Sequence, residues 1–223
     1  MREIVLDTET TGLSPADGDR VVEIGCIELI NHVAIAEHFH VYINPECPMP
    51  AAAEAVHGLS DEFLADKPVF ADVADGFLAF VGEAPLVIHN AAFDMGFLNA
   101  ELARLGRPAL ADTRAIDTVS MARRKHPGAP ASLDALCRRF GIDNSTRTLH
   151  GALLDAELLA EVYLELIGGR QPGLELAAAA PAARAVAVAD RVARPPRPHA
   201  ASAEEAAAHE KFLEKIADPL WRG

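Results

Sequence analysis

The sequence predicts an α/β fold, a mixed five-stranded sheet with helices packed on it. Three apolar runs of strand character open the chain in succession. Two further short apolar runs each lead into a segment whose hydrophobic residues recur at helical spacing. Half of the 223 residues are hydrophobic, enough to fill the core such a sheet needs.

In chain order, EIVLDT (3–8), RVVEIGCIELI (20–30) and IAEHFHVYI (35–43) read as three strands joined by short turns, an antiparallel meander. FADVADGFLAFV (70–81) has its apolar residues at helical spacing. APLVIHN (84–90) is a short buried strand, followed by the helical AAFDMGFLNAELARL (91–105). AIDTVSMARR (115–124) reads as a brief strand leading into a helix. SLDALCRRFGI (132–142) starts with a serine cap and stops at Gly141, and GALLDAELLAEVYLEL (151–166) is a strong helix ended by Gly168. No internal repeat is visible.

Charge divides the chain. Residues 1–167 hold 12 basic and 26 acidic side chains, whereas the remainder holds 8 and 7. The net charge of −13 argues against strong unaided binding of a polyanion, but not against an enzyme that holds phosphates through bound cations. The expected organisation is a catalytic domain over 1–169, a flexible Ala/Pro-rich linker over 170–208 and a terminal segment over 209–223. Cys26, Cys47 and Cys137 have neither metal-type nor disulfide-type spacing and read as reduced thiols. The first strand leaves no room for a signal peptide and no run spans a bilayer, so a cytoplasmic protein is expected.

Asp7 and Glu9 end the first strand one residue apart, and strand alternation turns both toward one spot. Like charges so placed repel, so either a cation sits between them or the segment is a solvated strand end. Asp94 lies on the apolar side of its helix, ahead of Phe97 and Leu98. Asp155 likewise shares the face of Leu158, Leu159 and Val162. Four inward carboxylates from three elements form a cage suited to two hard divalent ions, Mg²⁺ or Mn²⁺. His150 belongs on the loop entering the last helix, with Gly151 supplying freedom, and is suited to accept a proton from water. Together these residues predict metal-dependent phosphoester cleavage. Arg123, Arg124, Lys125, Arg138, Arg139 and Arg147 are the main basic concentration, and two readings stay open: a track for strand phosphates or a solvated helix face.

VLDTETTGL, VIHNAAFDMGFL and LHGALLDAELLAEVYL resemble, in order and spacing, the three motifs of the DEDDh exonuclease superfamily. FHVYINP, VHGLSDEFLADKPVF and the terminal Trp221 are most similar to its branch of proofreading subunits of bacterial DNA polymerase III. The resemblance implies a ribonuclease H-like sheet with helices on both faces, and 3′→5′ removal of deoxynucleotides from a mispaired end. It implies that Asp7, Glu9 and Asp155 bind the ions, that Asp94 supports the second through water, and that His150 is the general base. The same acids, with Thr8, Thr10, His57, Asn90 and Phe93, are then expected around the terminal nucleotide.

In the extension, Gln171, Leu174 and Leu176 loosely resemble the peptide by which polymerase subunits dock on the sliding clamp. Phe212, Leu213 and Ile216, with Leu220 and Trp221 beyond Pro219, suggest a tethered anchor that folds on a partner. The resemblance makes that partner the polymerase catalytic (alpha) subunit. Two alternatives stand beside this reading: an exoribonuclease of the ribonuclease T or oligoribonuclease kind, and a non-catalytic subunit that stabilises the polymerase.

Overall fold

The computed structural model describes residues 1–145, 147, 149–169 and 200–216. The proposed clamp peptide, most of the linker, and Leu220 and Trp221 lie outside the described residues. The chain divides into two compact units, Met1–Glu175 and Leu176–Gly223.

In the first unit, β1 (Arg2–Thr10), β2 (Val21–Ile30) and β3 (Val33–Tyr42) form the expected antiparallel meander. Leu86–Ile88 (β4) and Ala115–Asp117 (β5) add in parallel, giving the order β3-β2-β1-β4-β5. The third strand begins at Val33, two residues before the apolar run suggested. The helices are α1 (Ala51–His57), α2 (Asp61–Leu64), α3 (Phe70–Val81), α4 (Ala91–Arg104), α5 (Thr118–Lys125), α6 (Leu133–Phe140) and α7 (Ala152–Ile167). Neither α1 nor α2 was legible as a helix. One has seven residues and the other four, too few to display a hydrophobic period.

Alternation along β1 sends side chains into two separate cores. Ile4 and Leu6 pack with Phe70, Phe77, Phe97 and Leu98 of α3 and α4. Val5 packs with Leu136 of α6 and Leu159 and Val162 of α7 on the other face. Helices therefore cover both faces, as the resemblance implied, and β1 is the spine between them.

Helix α7 runs antiparallel to β1 and is fixed at both ends. Near its C-terminus the Tyr163 hydroxyl donates to the fully buried Glu3 carboxylate at 2.7 Å. Lys125 Nζ donates to the carbonyls of Glu165 and Leu166 at 2.6 and 3.1 Å, helping to satisfy the last turn. At the other end α7 meets Gly25, the β2 partner of Asp7. A Cβ on Gly25 would lie 2.3 Å from the Ala152 carbonyl carbon and the Leu153 nitrogen. Glycine is what allows the first turn of α7 to rest on the sheet beside Asp7.

In the second unit, α8 (Ala203–Leu213) begins within the stretch expected to be linker. Ser202 starts it with a capping box: its hydroxyl accepts from the Glu205 N–H at 3.2 Å, and the Glu205 carboxylate accepts from the Ser202 N–H at 2.8 Å. Phe212 of the expected apolar stripe is 59% exposed. No described helix is long and apolar enough to cross a membrane.

Candidate active site

The three parallel strands β1, β4 and β5 end on one edge of the sheet, and the site lies at their carboxyl ends. Strand β1 supplies Asp7 and Glu9 to the α7 side, where Asp155 sits in the first turn of that helix. Asp94 reaches the same strand end from α4 on the opposite face. Its Oδ1 accepts from the Thr8 N–H at 3.0 Å and from the Thr8 hydroxyl at 2.7 Å. The odd residues of the DTE run thus face α7, while the even one anchors the acid from α4.

Asp94 and Asp155 are each 3% exposed and Glu9 8%. Burial drives the Asp7 carboxyl well above the usual carboxylate range, and repulsion from Asp94, Glu9 and Asp155 adds to it. Glu9 is pushed up to about 8, first by burial and then by Asp155, Glu23 and Asp94. Burial likewise raises Asp94 to about 7, against the two bonds from Thr8. These acids are therefore short of positive charge.

Part of that charge comes from Arg147. Its Nε and Nη2 donate to the two oxygens of Asp155 at 2.5 and 2.6 Å, and Nη1 donates to Asp134 of α6 at 2.8 Å. The sequence put Arg147 in a basic group open to two readings, a phosphate track or a solvated helix face, but the structure inserts it, 9% exposed, among the acids. Charge and loop position alone did not reveal that the loop folds back on Asp155.

His150 is half exposed on the loop before α7, as expected, with its backbone N–H donating to Val56 of α1 at 3.1 Å. Its Nδ1 lies 2.7 Å from Arg147 Nη2 and 3.2 Å from Asp155 Oδ2. A guanidinium only donates, so Nδ1 accepts and the ring proton rests on Nε2. Asp7, Asp155, His150 and Arg147 line one cavity with His89, Ser132 and Asp134. Donor atoms of Glu9, His150 and Asp155 all fall within 4.8 Å of one another. An oxygen-rich, cation-poor set of this kind fits hard divalent ions.

A second cavity, of about 520 Å³, adjoins Glu9 and collects most of the residues expected around a nucleotide. Thr8, Thr10, His57 and Phe93 line it, among the apolar Leu13, Ala53 and Val56. His57 is 6% exposed, its Nδ1 accepts from the Leu59 N–H at 3.1 Å, and its Nε2 has no hydrogen-bond partner. Burial lowers its pKa against an opposing contact with the Thr10 backbone, so the neutral ring carries its proton on Nε2 at the cavity wall. Asn90 is not in this cavity. It caps α4 in a left-handed conformation (φ 68°) and lines a different cavity with His89, Asp117, Arg123 and Ser132.

An exonuclease family model matches residues 4–163. The chain is 59% identical over 174 residues to DNA polymerase III subunit epsilon of Rickettsia prowazekii, covering 77% of this chain and 76% of the relative. It is 46% identical over 237 aligned positions to the subunit of that name from Salmonella typhimurium, covering 99% of this chain and 97% of the relative. Among solved structures, exonuclease X in complex with 5′ overhanging duplex DNA superposes with a TM-score of 0.58 at 27% identity, over 74% of this chain and 90% of that one. By domain match and near full-length identity alike, the chain belongs to the DEDDh exonucleases and, among them, to the epsilon subunits of DNA polymerase III.

Proposed function

We propose that Asp7, Glu9, Asp94 and Asp155 hold divalent cations, and that His150 is the general base with which this 3′→5′ proofreading exonuclease hydrolyses DNA. One observation carries the reading. Acids from β1, α4 and α7 converge beside a half-exposed imidazole, and burial raises the pKa values of three of them, with repulsion from neighbouring acids adding to it at Asp7 and Glu9.

Asp7 and Glu9 would hold the cations from the strand, and Asp155 would complete the set once Arg147 leaves its oxygens. Asp94, its Oδ1 engaged by Thr8, acts through its remaining oxygen. Bound divalent cations supply activation of the attacking water and relief of charge on the departing 3′-oxygen. With Arg147 withdrawn, the His150 proton moves to Nδ1 and donates to Asp155, 3.2 Å away, leaving Nε2 to accept a proton from water. The cavity between β1, α1 and α4 takes the terminal nucleotide: its apolar walls accept any base, and the His57 donor meets an oxygen of the sugar or base.

The epsilon subunits support DNA rather than RNA as the substrate, and polymerase III as the assembly in which the chain works. A complete set of acids and histidine has no use in a scaffold, which speaks against the non-catalytic alternative. The test is Mg²⁺-dependent digestion of a mispaired primer, with an RNA oligonucleotide of matched sequence alongside. Asp7→Ala is expected to abolish cleavage and His150→Ala to slow it by about 10²- to 10⁴-fold, both with an unchanged fold. Retained cleavage in both variants rejects the site.

A further inference from the structure

The structure sorts the six basic residues of α5, α6 and the loop before α7 into two kinds. Lys125 closes the C-terminus of α7, and Arg147 is paired with Asp155 and Asp134. Arg123 and Arg124 on α5, and Arg138 and Arg139 on α6, are exposed and form no ion pair among the described residues. Three of these four line cavities that continue from the catalytic one. His89 and Ser132 are walls of both the catalytic cavity and the next, which holds Arg123. Pro130 in turn is a wall of both that second cavity and a third, which holds Arg138 and Arg139. Arg124 lines none of them.

We infer that this chain of cavities is the path of the single strand on the 5′ side of the scissile bond, with Arg123, Arg138 and Arg139 meeting its phosphates. The inference rests on the nuclease reading and deepens it. The nucleotide cavity shares no wall with the catalytic cavity or with the two basic ones, so the groove is separate from the nucleotide cavity. In a domain with more than twice as many acids as bases, three unpaired arginines along one exit from the site form a polyanion-complementary track. One acid intervenes, Asp117. Its oxygens already accept from the Val119 and Asn90 N–H groups and the Ser120 hydroxyl, which hold it low in pKa against the opposing effect of burial. His89 is kept neutral by burial. Asn90, absent from the terminal-nucleotide cavity, lines this groove and is assigned to the preceding nucleotide.

Fluorescence anisotropy of the full chain with labelled oligothymidylates of two to eight nucleotides, without divalent ions and over a range of salt, tests the assignment. The parent protein should bind longer strands progressively tighter. In Arg123→Ala/Arg138→Ala/Arg139→Ala, that gain with length should drop at least tenfold. The slope of log affinity against log salt should fall by about two, three single-strand phosphates at roughly 0.7 each. Arg124→Ala, on the same helix but outside the groove, should change neither. A length gain that survives the triple variant, uniform weakening that includes the dinucleotide, or an equal effect of Arg124→Ala would overturn the groove. Because binding is read without hydrolysis, a parent that binds as expected but cleaves nothing would sink the nuclease mechanism and leave the groove standing.

Discussion

Glu9 carries the plainest electrostatic consequence of the site. Its folded pKa near 8 stands well above its ordinary value of 4.5, so between those limits the folded protein holds a proton that the unfolded chain has lost. Stability must therefore fall as pH rises through that window in the metal-free protein, and Asp7 and Asp94, both raised, act with the same sign. Chemical denaturation without divalent ions should show a loss on the order of a few kcal/mol from pH 5 to pH 8. Glu9→Gln should flatten the slope, and Mg²⁺ should offset it. Stability that rises over this range would mean that the acids are already neutralised. That Asp7, Glu9, Asp94 and Asp155 meet was legible from strand alternation and helix faces, because periodicity fixes direction. The role of Arg147 was not, since its pairing depends on an aperiodic loop that returns to Asp155. Lys125 escaped for the same reason, its partners lying 40 residues away on another helix.

Among the elements, β2 and α7 decide whether the catalytic groups assemble. Gly25 sits opposite Asp7 with the backbone of Ala152 and Leu153 pressed against it. A methyl group there would have to lift the first turn of α7, which carries Asp155 and follows directly from His150. Gly25→Ala should destabilise the fold by only about 1–3 kcal/mol, yet lose most activity. Circular dichroism, melting and a primer-digestion assay on the same sample check this, and an active variant would show that α7 need not touch the sheet. The longer strands and helices read from periodicity or caps were found close to their expected limits. The walls built by Ala51–His57 went unread as structure, since a helix of two turns has no apolar rhythm and its placement depends on Leu149 and His150 packing beside it.

For the whole molecule, every candidate site residue lies in the unit that ends at Glu175, while α8 belongs to the other. We assign the second unit to association with the polymerase, on the exposed Phe212 and on a resemblance to epsilon subunits that extends over 99% of the chain. Under that assignment the second unit would raise the local concentration of the nuclease at the primer end, which would suit a chain with a net charge of −13. Truncation after Gly169 should preserve digestion of free single strands and abolish co-purification with the polymerase catalytic subunit. A complex that survives the truncation would place the anchor within the nuclease unit.

Crystals of the full chain soaked in Mn²⁺ and measured at the manganese absorption edge probe the basis of the catalytic proposal directly. Anomalous peaks should lie among the oxygens of Asp7, Glu9 and Asp155, with the Arg147 guanidinium drawn away from Asp155. A map without such peaks, and Arg147 still seated on both Asp155 oxygens at saturating manganese, would contradict it.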